Sequence, residues 1–537
     1  MLTPVFILGL LFGLITESHG QDNKLVVDLG YAKYNGFVGE KGMNQWFGIR
    51  YAAPPTGNNR FREPQDPADN PEVQQANKRT PVCHSSPSTK LNPDQSEDCL
   101  FLNVFAPAKE TKPRAVLVWF QGGGLNSNAD ANGDGSSLIA AADNDLVVVT
   151  FNFRVGVHGF LASKEVKKDG NLNAGLLDQR KVLHWVQKNI HLFGGDPERV
   201  TIGGGSAGGG AVSLHLTAYG GKNENLFSAA VGESASYGVQ YTVEESQYQY
   251  DALVKRVKCD KAPDTLKCLR DLDIKTLSEN NPNVPVPGGG GGTPVYMWSN
   301  HIDGDFTPDW SYNLYETGKF VKVPVIFGAC SNEGTTFTPK NLANQSEIDN
   351  FMKNNYPKLT EEDLATAASL YPVPDKPEYP DSTQFWRPLA DMYGHMRYNC
   401  PGLYMSGSYP RVGGMNTSWS YRWDVARPAN LANGNGVTHV AEGGAVWGSY
   451  KKEDPESALQ PIIQSYWTSF IRSHDPNTHR LKDAPEWLGY TEGEDSSGAN
   501  RRMLFVNDPK KVAIETIIGL LQKRCKFWHS IGAKIGQ

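Results

Sequence analysis

The sequence predicts an α/β fold in which a large, mainly parallel central sheet is covered by helices on both faces. Short, valine-rich apolar runs at Ala115 to Phe120 and Leu146 to Phe151 are typical of strands that are buried on both sides. The apolar residues from Leu176 to Phe193 instead recur at helical spacing, and two glycines follow as a stop signal. Strands that alternate with helices in this way indicate a parallel sheet.

The same alternation continues along the chain. Further elements are predicted as strands at Val200 to Gly203, Val323 to Gly328 and Trp419 to Trp423, and as a helix at Ala211 to Ala218. The consecutive glycines from Gly288 to Gly292 lack a following Lys-Ser or Lys-Thr, so they predict a flexible surface loop and not a phosphate-binding loop. A domain linker is the alternative there, but buried-strand patterns resume directly afterwards. We therefore expect residues 21–537 to form one domain with insertions.

The composition excludes several classes of partner. Hydrophobic residues make up 39% of the 537 residues and charged residues 20%, which suits a globular protein with a sizeable core. The net charge of −6 at pH 7 provides neither a basic surface for nucleic acid nor a polybasic anchor for membranes. Beyond the N-terminus no apolar stretch is long enough to span a bilayer. We expect no nucleic-acid partner and no stable membrane anchor.

Residues 1–20 predict a secretory signal peptide. The apolar run from Val5 to Ile15 is too short to cross a bilayer, and small residues then occupy the positions that determine cleavage before Gln21. No Lys or Arg precedes the run, and a buried N-terminal strand is the alternative. Sequons for N-glycosylation at Asn344 and Asn416 fit a secreted, extracellular protein.

The cysteines fit the same oxidising compartment. Two pairs have a spacing that suits local disulfides and no metal-ligand partners nearby: Cys83 with Cys99, and Cys259 with Cys268. Of the remaining cysteines at most two can pair, so at least one free thiol is expected among Cys330, Cys400 and Cys525.

The segment from Gly204 to Gly208 matches the pattern Gly-x-Ser-x-Gly, with Ser206 at its centre. A predicted strand precedes it and a predicted helix follows, and this arrangement places a serine above the sheet in a strained conformation. The flanking glycines avoid collisions with neighbouring backbone, and the serine oxygen lies near the positive end of the helix dipole. Ser206 is the candidate nucleophile; a glycine-rich turn with an incidental serine is the alternative.

Longer segments resemble the type-B carboxylesterase family, which also contains the cholinesterases and some secreted lipases. They are Asn173 to Gly209, Glu97 to Val104, and Phe47 to Ile49 with Pro54-Pro55 and Arg60-Phe61. The resemblance extends from about residue 25 to the C-terminal helix. It implies an α/β-hydrolase fold, hydrolysis of a carboxylic ester through an acyl-enzyme, and no metal or cofactor. It also implies a structural salt bridge between Arg60 and Glu97.

A glycine triplet is the candidate oxyanion hole. Ester cleavage builds negative charge on the carbonyl oxygen, and preorganised backbone N–H groups stabilise that charge. The triplet begins at Gly122, just beyond the predicted strand that ends at Phe120, and glycines allow the backbone to approach a substrate closely. By resemblance to the family, the donors are the amides of Gly123, Gly124 and Ala207. A plain glycine-rich turn is the alternative.

A serine nucleophile needs a histidine base and a carboxylate that orients the base, and in this fold they follow in the order serine, acid, histidine. Glu333 lies just beyond the predicted strand that ends at Gly328, and the family carries its acid in this context. His439 lies in a Gly-x-x-His-x-x-Glu segment after the predicted strand that ends at Trp423, as the family histidine does. We expect a catalytic triad of Ser206, His439 and Glu333. A surface-turn glutamate and an ordinary histidine are the alternatives.

Several positions near these motifs call for comment. Ser234 falls where the family has a serine that can hydrogen-bond the acid, so we expect it to contact Glu333. Gly205 replaces the glutamate that usually precedes the nucleophile, which removes a buried carboxylate. Gln121 stands where the family has a histidine or tyrosine, and Leu125 where an aromatic is usual. These departures alter the pocket and not the type of reaction.

The loop between Cys83 and Cys99 bears on substrate choice. In the family this loop often forms a lid or carries a tryptophan that stacks on choline, but here it is short and polar and contains no aromatic residue. The sequence therefore predicts a secreted carboxylesterase that hydrolyses soluble, small-molecule esters. The alternatives are a lipase with another segment as its lid, an esterase of phenolic acids of the feruloyl or chlorogenate kind, and a non-catalytic cholinesterase-like binding protein. The oligomeric state is left open.

Overall fold

The fold is taken from a computed structural model that describes residues 25–39, 41–88, 90–108, 112–128, 133–491 and 500–537. The signal peptide predicted at residues 1–20 lies outside the described residues.

The strands, in chain order, are β1 (Val26–Asp28), β2 (Ala32–Asn35), β3 (Phe37–Val38), β4 (Met43–Arg50), β5 (Asn70–Gln75), β6 (Val82–Cys83), β7 (Gln95–Ser96), β8 (Phe101–Pro107), β9 (Arg114–Phe120), β10 (Leu146–Phe151), β11 (Gly195–Gly205), β12 (Ala229–Glu233), β13 (Tyr241–Thr242), β14 (His301–Ile302), β15 (Val325–Cys330), β16 (Ser418–Asp424), β17 (Arg501–Val506) and β18 (Ala513–Thr516).

The α-helices are α1 (Ser136–Ala141), α2 (Gly156–Phe160), α3 (Lys164–Asp169), α4 (Ala174–Asn189), α5 (Ala207–Gly221), α6 (Val243–Arg256), α7 (Thr265–Asp271), α8 (Ile274–Glu279), α9 (Ser311–Glu316), α10 (Gln345–Asn355), α11 (Glu361–Leu370), α12 (Trp386–Gly394), α13 (Cys400–Arg411), α14 (Pro428–Ala432), α15 (Gly443–Trp447), α16 (Gln460–Ser473) and α17 (Leu520–Ile531). Short 3-10 turns lie at Gly57–Asn59, Ile190–Phe193, Glu333–Thr336, Pro455–Leu459 and Pro509–Lys511, and a π-helical turn at His395–Asn399.

The central sheet contains 11 strands in the order β18-β17-β16-β15-β12-β11-β9-β10-β8-β4-β3. Every pairing from β17 to β10 in this order is parallel. The pairings that involve β18, β8, β4 and β3 are antiparallel. The predicted parallel sheet is confirmed for the centre, and antiparallel strands extend it at both edges.

Helices cover both faces of this sheet, as predicted. Because side chains alternate along each strand, every central strand packs against helices on both sides. On β9, Val116 and Val118 lie in the core that contains residues of α4 and α5. Leu117 and Trp119 point the other way and lie in the core that contains residues of α1 and α16. The strands are therefore buried on both sides, and the carboxyl ends of β9, β11, β12 and β15 meet at one edge of the sheet.

The element boundaries differ from the prediction by a few residues. β11 begins at Gly195, before the predicted Val200, because it rejoins β9 beyond an irregularity in the register. β15 begins at Val325, since the preceding proline has no amide to donate. The predicted helix to Phe193 ends as an α-helix at Asn189 and finishes in a 3-10 turn. The glycine-rich segment packs against α10, where the Gly292 amide donates to Oδ1 of Asn354 at 3.0 Å.

Disulfides tie down three parts of the chain. They join Cys83 to Cys99, Cys259 to Cys268, and Cys400 to Cys525. The remaining thiol, Cys330, is buried. Arg60 donates from Nη2 to Oε2 of Glu97 at 3.0 Å, so the two residues form an ion pair beside the first disulfide. Within the described ranges no helix is long and apolar enough to cross a membrane.

Candidate active site

Ser206 lies at the sharp turn between β11 and α5. Its φ of 59° and ψ of −125° are unusual for a residue with a side chain, and they are typical of a serine raised above the sheet edge. A Cβ atom at Gly204 would lie 2.5 Å from the carbonyl carbon of Gly208. A Cβ atom at Gly208 would lie 2.0 Å from the carbonyl oxygen of Phe120. Both positions therefore require glycine.

His439 and Glu333 complete a hydrogen-bonded line with Ser206. Oγ of Ser206 lies 2.7 Å from Nε2 of His439, and Nδ1 of the same imidazole is hydrogen-bonded to Oε2 of Glu333. The other carboxylate oxygen of Glu333 accepts the amide of Cys330 at 2.6 Å. Only 1% of Glu333 is exposed, so the carboxylate is fixed by its hydrogen bonds and shielded from water. This geometry is that of a serine–histidine–carboxylate triad.

Backbone contacts align the loops that carry the acid and the base. The Asn332 amide donates to the carbonyl oxygen of Val437 at 2.9 Å, and the Val437 amide donates back to Oδ1 of Asn332 at 2.9 Å. The imidazole of His439 packs beside the rings of Phe337 and Tyr398, at centroid distances of 5.1 and 4.4 Å. The histidine is thus held on several sides.

The glycine triplet lies against Ser206. A Cβ atom at Gly122 would lie 3.7 Å from Oγ of Ser206. Gly123 and Gly124 have φ values of 108° and 66°, which few other residues adopt. Among the described residues, the amides of Gly123, Gly124 and Ala207 donate to no other protein atom. They are therefore available to donate hydrogen bonds to the oxygen of a substrate carbonyl.

A cleft of about 720 Å³ opens over Ser206 and His439. Its aromatic wall residues are Trp119, Tyr296, Phe337 and Trp447. The volume and the largely apolar wall suit a small organic ester.

Comparisons with known proteins identify the family. The family model described as "Carboxylesterase family" matches residues 24–528 of this chain. The chain belongs to the carboxylesterase family. Secreted lipase 4 of Gibberella zeae is 32% identical over 482 residues, which cover 85% of this chain and 83% of that protein. Lipase 1 of Geotrichum candidum is 30% identical over 499 residues, which cover 83% of this chain and 86% of that protein.

A solved structure gives the same result for the fold. The crystal structure of Aspergillus niger EstA matches with a TM-score of 0.90 and 38% sequence identity, and the match covers 95% of this chain and 99% of that chain. The α/β-hydrolase fold is therefore confirmed, and the protein is a serine carboxylic-ester hydrolase that acts on small-molecule esters.

The cleft of this esterase contains a buried carboxyl, Glu233, to which the sequence assigned no role. In the parallel register of β11 and β12, Glu233 lies opposite Gly205. Only 1% of it is exposed, and its Oε1 accepts Nε1–H of Trp467 at 2.8 Å. Burial, and next the charge of Glu442, raise the pKa of Glu233 well above its usual range. The sequence led us to expect that the glycine at position 205 removes a buried carboxylate from the site. A buried carboxyl is nevertheless present, because Glu233 supplies one from the neighbouring strand.

Glu442 is a second fully buried carboxyl behind the triad. Its Oε1 accepts the hydroxyl of Tyr421 at 2.6 Å, and its Oε2 accepts the thiol of Cys330 at 3.1 Å. Burial, and next the charge of Glu333, raise the pKa of Glu442. Burial and the same two glutamates raise the pKa of the Cys330 thiol, which keeps this free cysteine protonated and unreactive.

Glu442 could have been predicted from the sequence, whereas Glu233 could not. Glu442 ends the Gly-x-x-His-x-x-Glu segment and lies three positions after His439, so the motif contains a signal for it. Glu233 has no such signal, because its position depends on the register between two strands that are distant in sequence.

Ser234 is a correction to the expected site. Its hydroxyl is buried and has no hydrogen-bond partner among the described residues, so it does not hydrogen-bond Glu333. Both oxygens of Glu333 already accept from Cys330 and His439. Ser234 has a φ of 49° and its amide donates to the carbonyl oxygen of Gly328 at 2.8 Å, so it serves the turn after β12.

Proposed function

We propose that Ser206 is the nucleophile, His439 the general base and acid, and Glu333 the carboxylate that orients and stabilises the histidine. The observation that carries this assignment is the continuous hydrogen-bonded line from the Ser206 hydroxyl through both imidazole nitrogens to a buried carboxylate. The strained turn at Ser206 supports it, because such strain is costly and is retained where chemistry needs it.

The reaction follows from these positions. His439 takes the proton of Ser206 as the hydroxyl attacks the ester carbonyl, and the resulting imidazolium is stabilised by Glu333. The tetrahedral oxyanion is received by the free amides of Gly123, Gly124 and Ala207, each of which contributes about 3 to 4 kcal/mol in comparable sites. His439 then protonates the departing alcohol, and water cleaves the acyl-enzyme by the same route.

Replacement of the nucleophile tests the assignment. Ser206→Ala should lower kcat on a soluble aryl ester by about a million-fold, as in comparable triads. Ser234→Ala is the matched control, because Ser234 is buried nearby but its hydroxyl has no hydrogen-bond partner in the described chain; we expect it to retain wild-type turnover. A fluorophosphonate should label the wild-type protein at Ser206, located by peptide mass spectrometry. Substantial turnover or labelling elsewhere in Ser206→Ala would refute the assignment.

We propose soluble, small-molecule esters as the substrates. The aromatic wall of the cleft favours an apolar or aromatic group, so esters of phenolic acids belong in the substrate panel. A lipase is the second candidate, because two relatives that are 32% and 30% identical over the aligned residues carry that name. Rates measured as an ester passes its solubility limit separate the two: a smooth saturation curve supports the esterase, and a sharp rise at the limit supports the lipase.

We also propose that the protein is secreted, with residues 1–20 removed and residues 21–537 forming one catalytic unit. The disulfides and the name of the relative Secreted lipase 4 support this. Asn344 and Asn416 are both exposed, which glycosylation requires. Sequencing of the mature N-terminus tests the cleavage site, and a Gln21 start is expected. Treatment with an N-glycosidase should lower the apparent mass.

A further inference from the structure

The buried carboxyls Glu233 and Glu442 belong to one face of the central sheet. Glu233 lies in register with Gly205 on one side and with Gly328 on the other, and Gly328 lies in register with Tyr421. A Cβ atom at Gly328 would lie 2.1 Å from the Tyr421 ring, so this glycine leaves the ring its space. Tyr421 in turn donates to Glu442. Gly328 thus makes room for the tyrosine that donates to Glu442.

Within the described residues no positively charged side chain is paired with Glu233 or Glu442; their partners are an indole, a phenol and a thiol. The titratable groups that interact with the pair are Cys330, Glu333, Tyr421 and Tyr450. His439 is hydrogen-bonded to Glu333 and lines the same cleft as Glu233, and it is the group that becomes a cation during acyl transfer.

We propose that Glu233 and Glu442 carry one negative charge between them, mainly on Glu442, and that this charge stabilises the imidazolium form of His439. The inference rests on the proposed roles of Ser206 and His439. Glu442 is a positioning residue, since it acts on the reaction through the histidine.

The hydrogen bonds explain why the charge favours Glu442. Two donors, the hydroxyl of Tyr421 and the thiol of Cys330, point at its oxygens, whereas Glu233 receives one indole N–H. Donors to the charged form favour ionisation, and burial beside a like charge disfavours it. Burial and neighbouring negative charge raise the pKa of both glutamates, which agrees with a pair that does not ionise completely.

The pH dependence of kcat/KM tests the proposal, because its acid limb reports the protonation of the histidine in the free enzyme. Glu442→Gln removes the charge, so the limb should move to lower pH by about one unit. Glu233→Gln leaves the charge on Glu442, so the limb should stay at the wild-type pH. The exposed Glu72→Gln is the control for the loss of any glutamate. Equal shifts in the two variants, or no shift in Glu442→Gln, would overturn the proposal.

A second variant and a second measurement keep the test independent of folding and of hydrolysis. Tyr421→Phe removes one donor to Glu442 and should move the limb in the same direction by a smaller amount; an unmoved limb contradicts the proposal. In Ser206→Ala, NMR titration of the His439 imidazole reports its pKa without any turnover. A lower histidine pKa on adding Glu442→Gln supports the inference even if Ser206 proves not to be the nucleophile, and an unchanged one overturns it.

Discussion

The adjacent glycines before Ser206 should respond to alanine in opposite ways. At Gly204 an added Cβ atom would lie 2.5 Å from the carbonyl carbon and 2.6 Å from the carbonyl oxygen of Gly208. At Gly205 the nearest atoms would be a methyl carbon of Val440 at 3.6 Å and a ring carbon of Trp119 at 3.7 Å. The first contact is an overlap with the backbone of the turn, and the second is ordinary van der Waals contact.

The expected magnitudes follow from these distances. Carbon atoms prefer to be about 3.5 to 4.0 Å apart, so Gly204→Ala requires a backbone movement of about 1 Å at the turn that holds Ser206. A displacement of that size lowers activity by about 100-fold, and overpacking lowers the free energy of unfolding by about 1 to 3 kcal/mol. Gly205→Ala introduces no clash and restricts the unfolded chain, which raises the free energy of unfolding by about 0.4 to 1 kcal/mol.

Both effects can be measured on the purified variants. We would determine kcat/KM on a soluble aryl ester and the free energy of unfolding in urea for wild type, Gly204→Ala and Gly205→Ala. Gly205→Ala should be at least as stable as wild type and keep activity within a few-fold. If the two variants lose activity to the same extent, the available space around each Cβ position does not govern this turn and the reasoning fails.

The remaining predictions concern stability. Asp178→Asn should lower the free energy of unfolding in urea by about 3 to 5 kcal/mol, because it leaves the buried guanidinium of Arg154 without its charge partner; a loss below about 1 kcal/mol would contradict this. Serine at both Cys400 and Cys525 opens a loop with a sequence separation of 125 and should cost about 5 kcal/mol on the chain-entropy model. The folded-state pKa of Glu233 lies above its usual value of 4.5, so wild type loses stability as pH rises from that value through the folded-state pKa. In Glu233→Gln the free energy of unfolding should fall less steeply over this pH range. If the free energies of the two proteins change with pH in parallel, the prediction is wrong.

The sequence predicts those features whose signals are local. Val-rich runs identify β9 and β10, since a strand covered on both faces must be apolar throughout. The pattern around Ser206 identifies the turn, because glycine is sterically required on both sides of the serine. The antiparallel edge strands β4 and β8 have no local signal of this kind. Their place depends on which strand each one pairs with, and hydrophobic periodicity does not encode pairing.

The candidate triad residues are predicted partly from local sequence signals and partly from contacts that the sequence does not encode. Glu333 follows the end of β15, and the rule that active-site groups occupy the carboxyl ends of strands predicts its location. His439 depends on a motif, and on the two hydrogen bonds between Asn332 and Val437 that bring its loop to Glu333. No periodicity in the sequence predicts that contact. Ser234 shows the limit of transfer from a motif, since its left-handed backbone leaves the hydroxyl without a partner.

Gly205 shows why the residue at one position does not predict whether a site contains a buried carboxyl. In a parallel sheet, residues in register on adjacent strands present their side chains to the same face, so either strand can supply a group at a given place. A glycine on β11 and another on β15 lie in register with Glu233 on β12, one on each side. The loss of a carboxyl group from β11 is then compatible with the presence of one on β12. The register of the sheet, and not the residue at one position, decides whether this part of the site contains a buried acid.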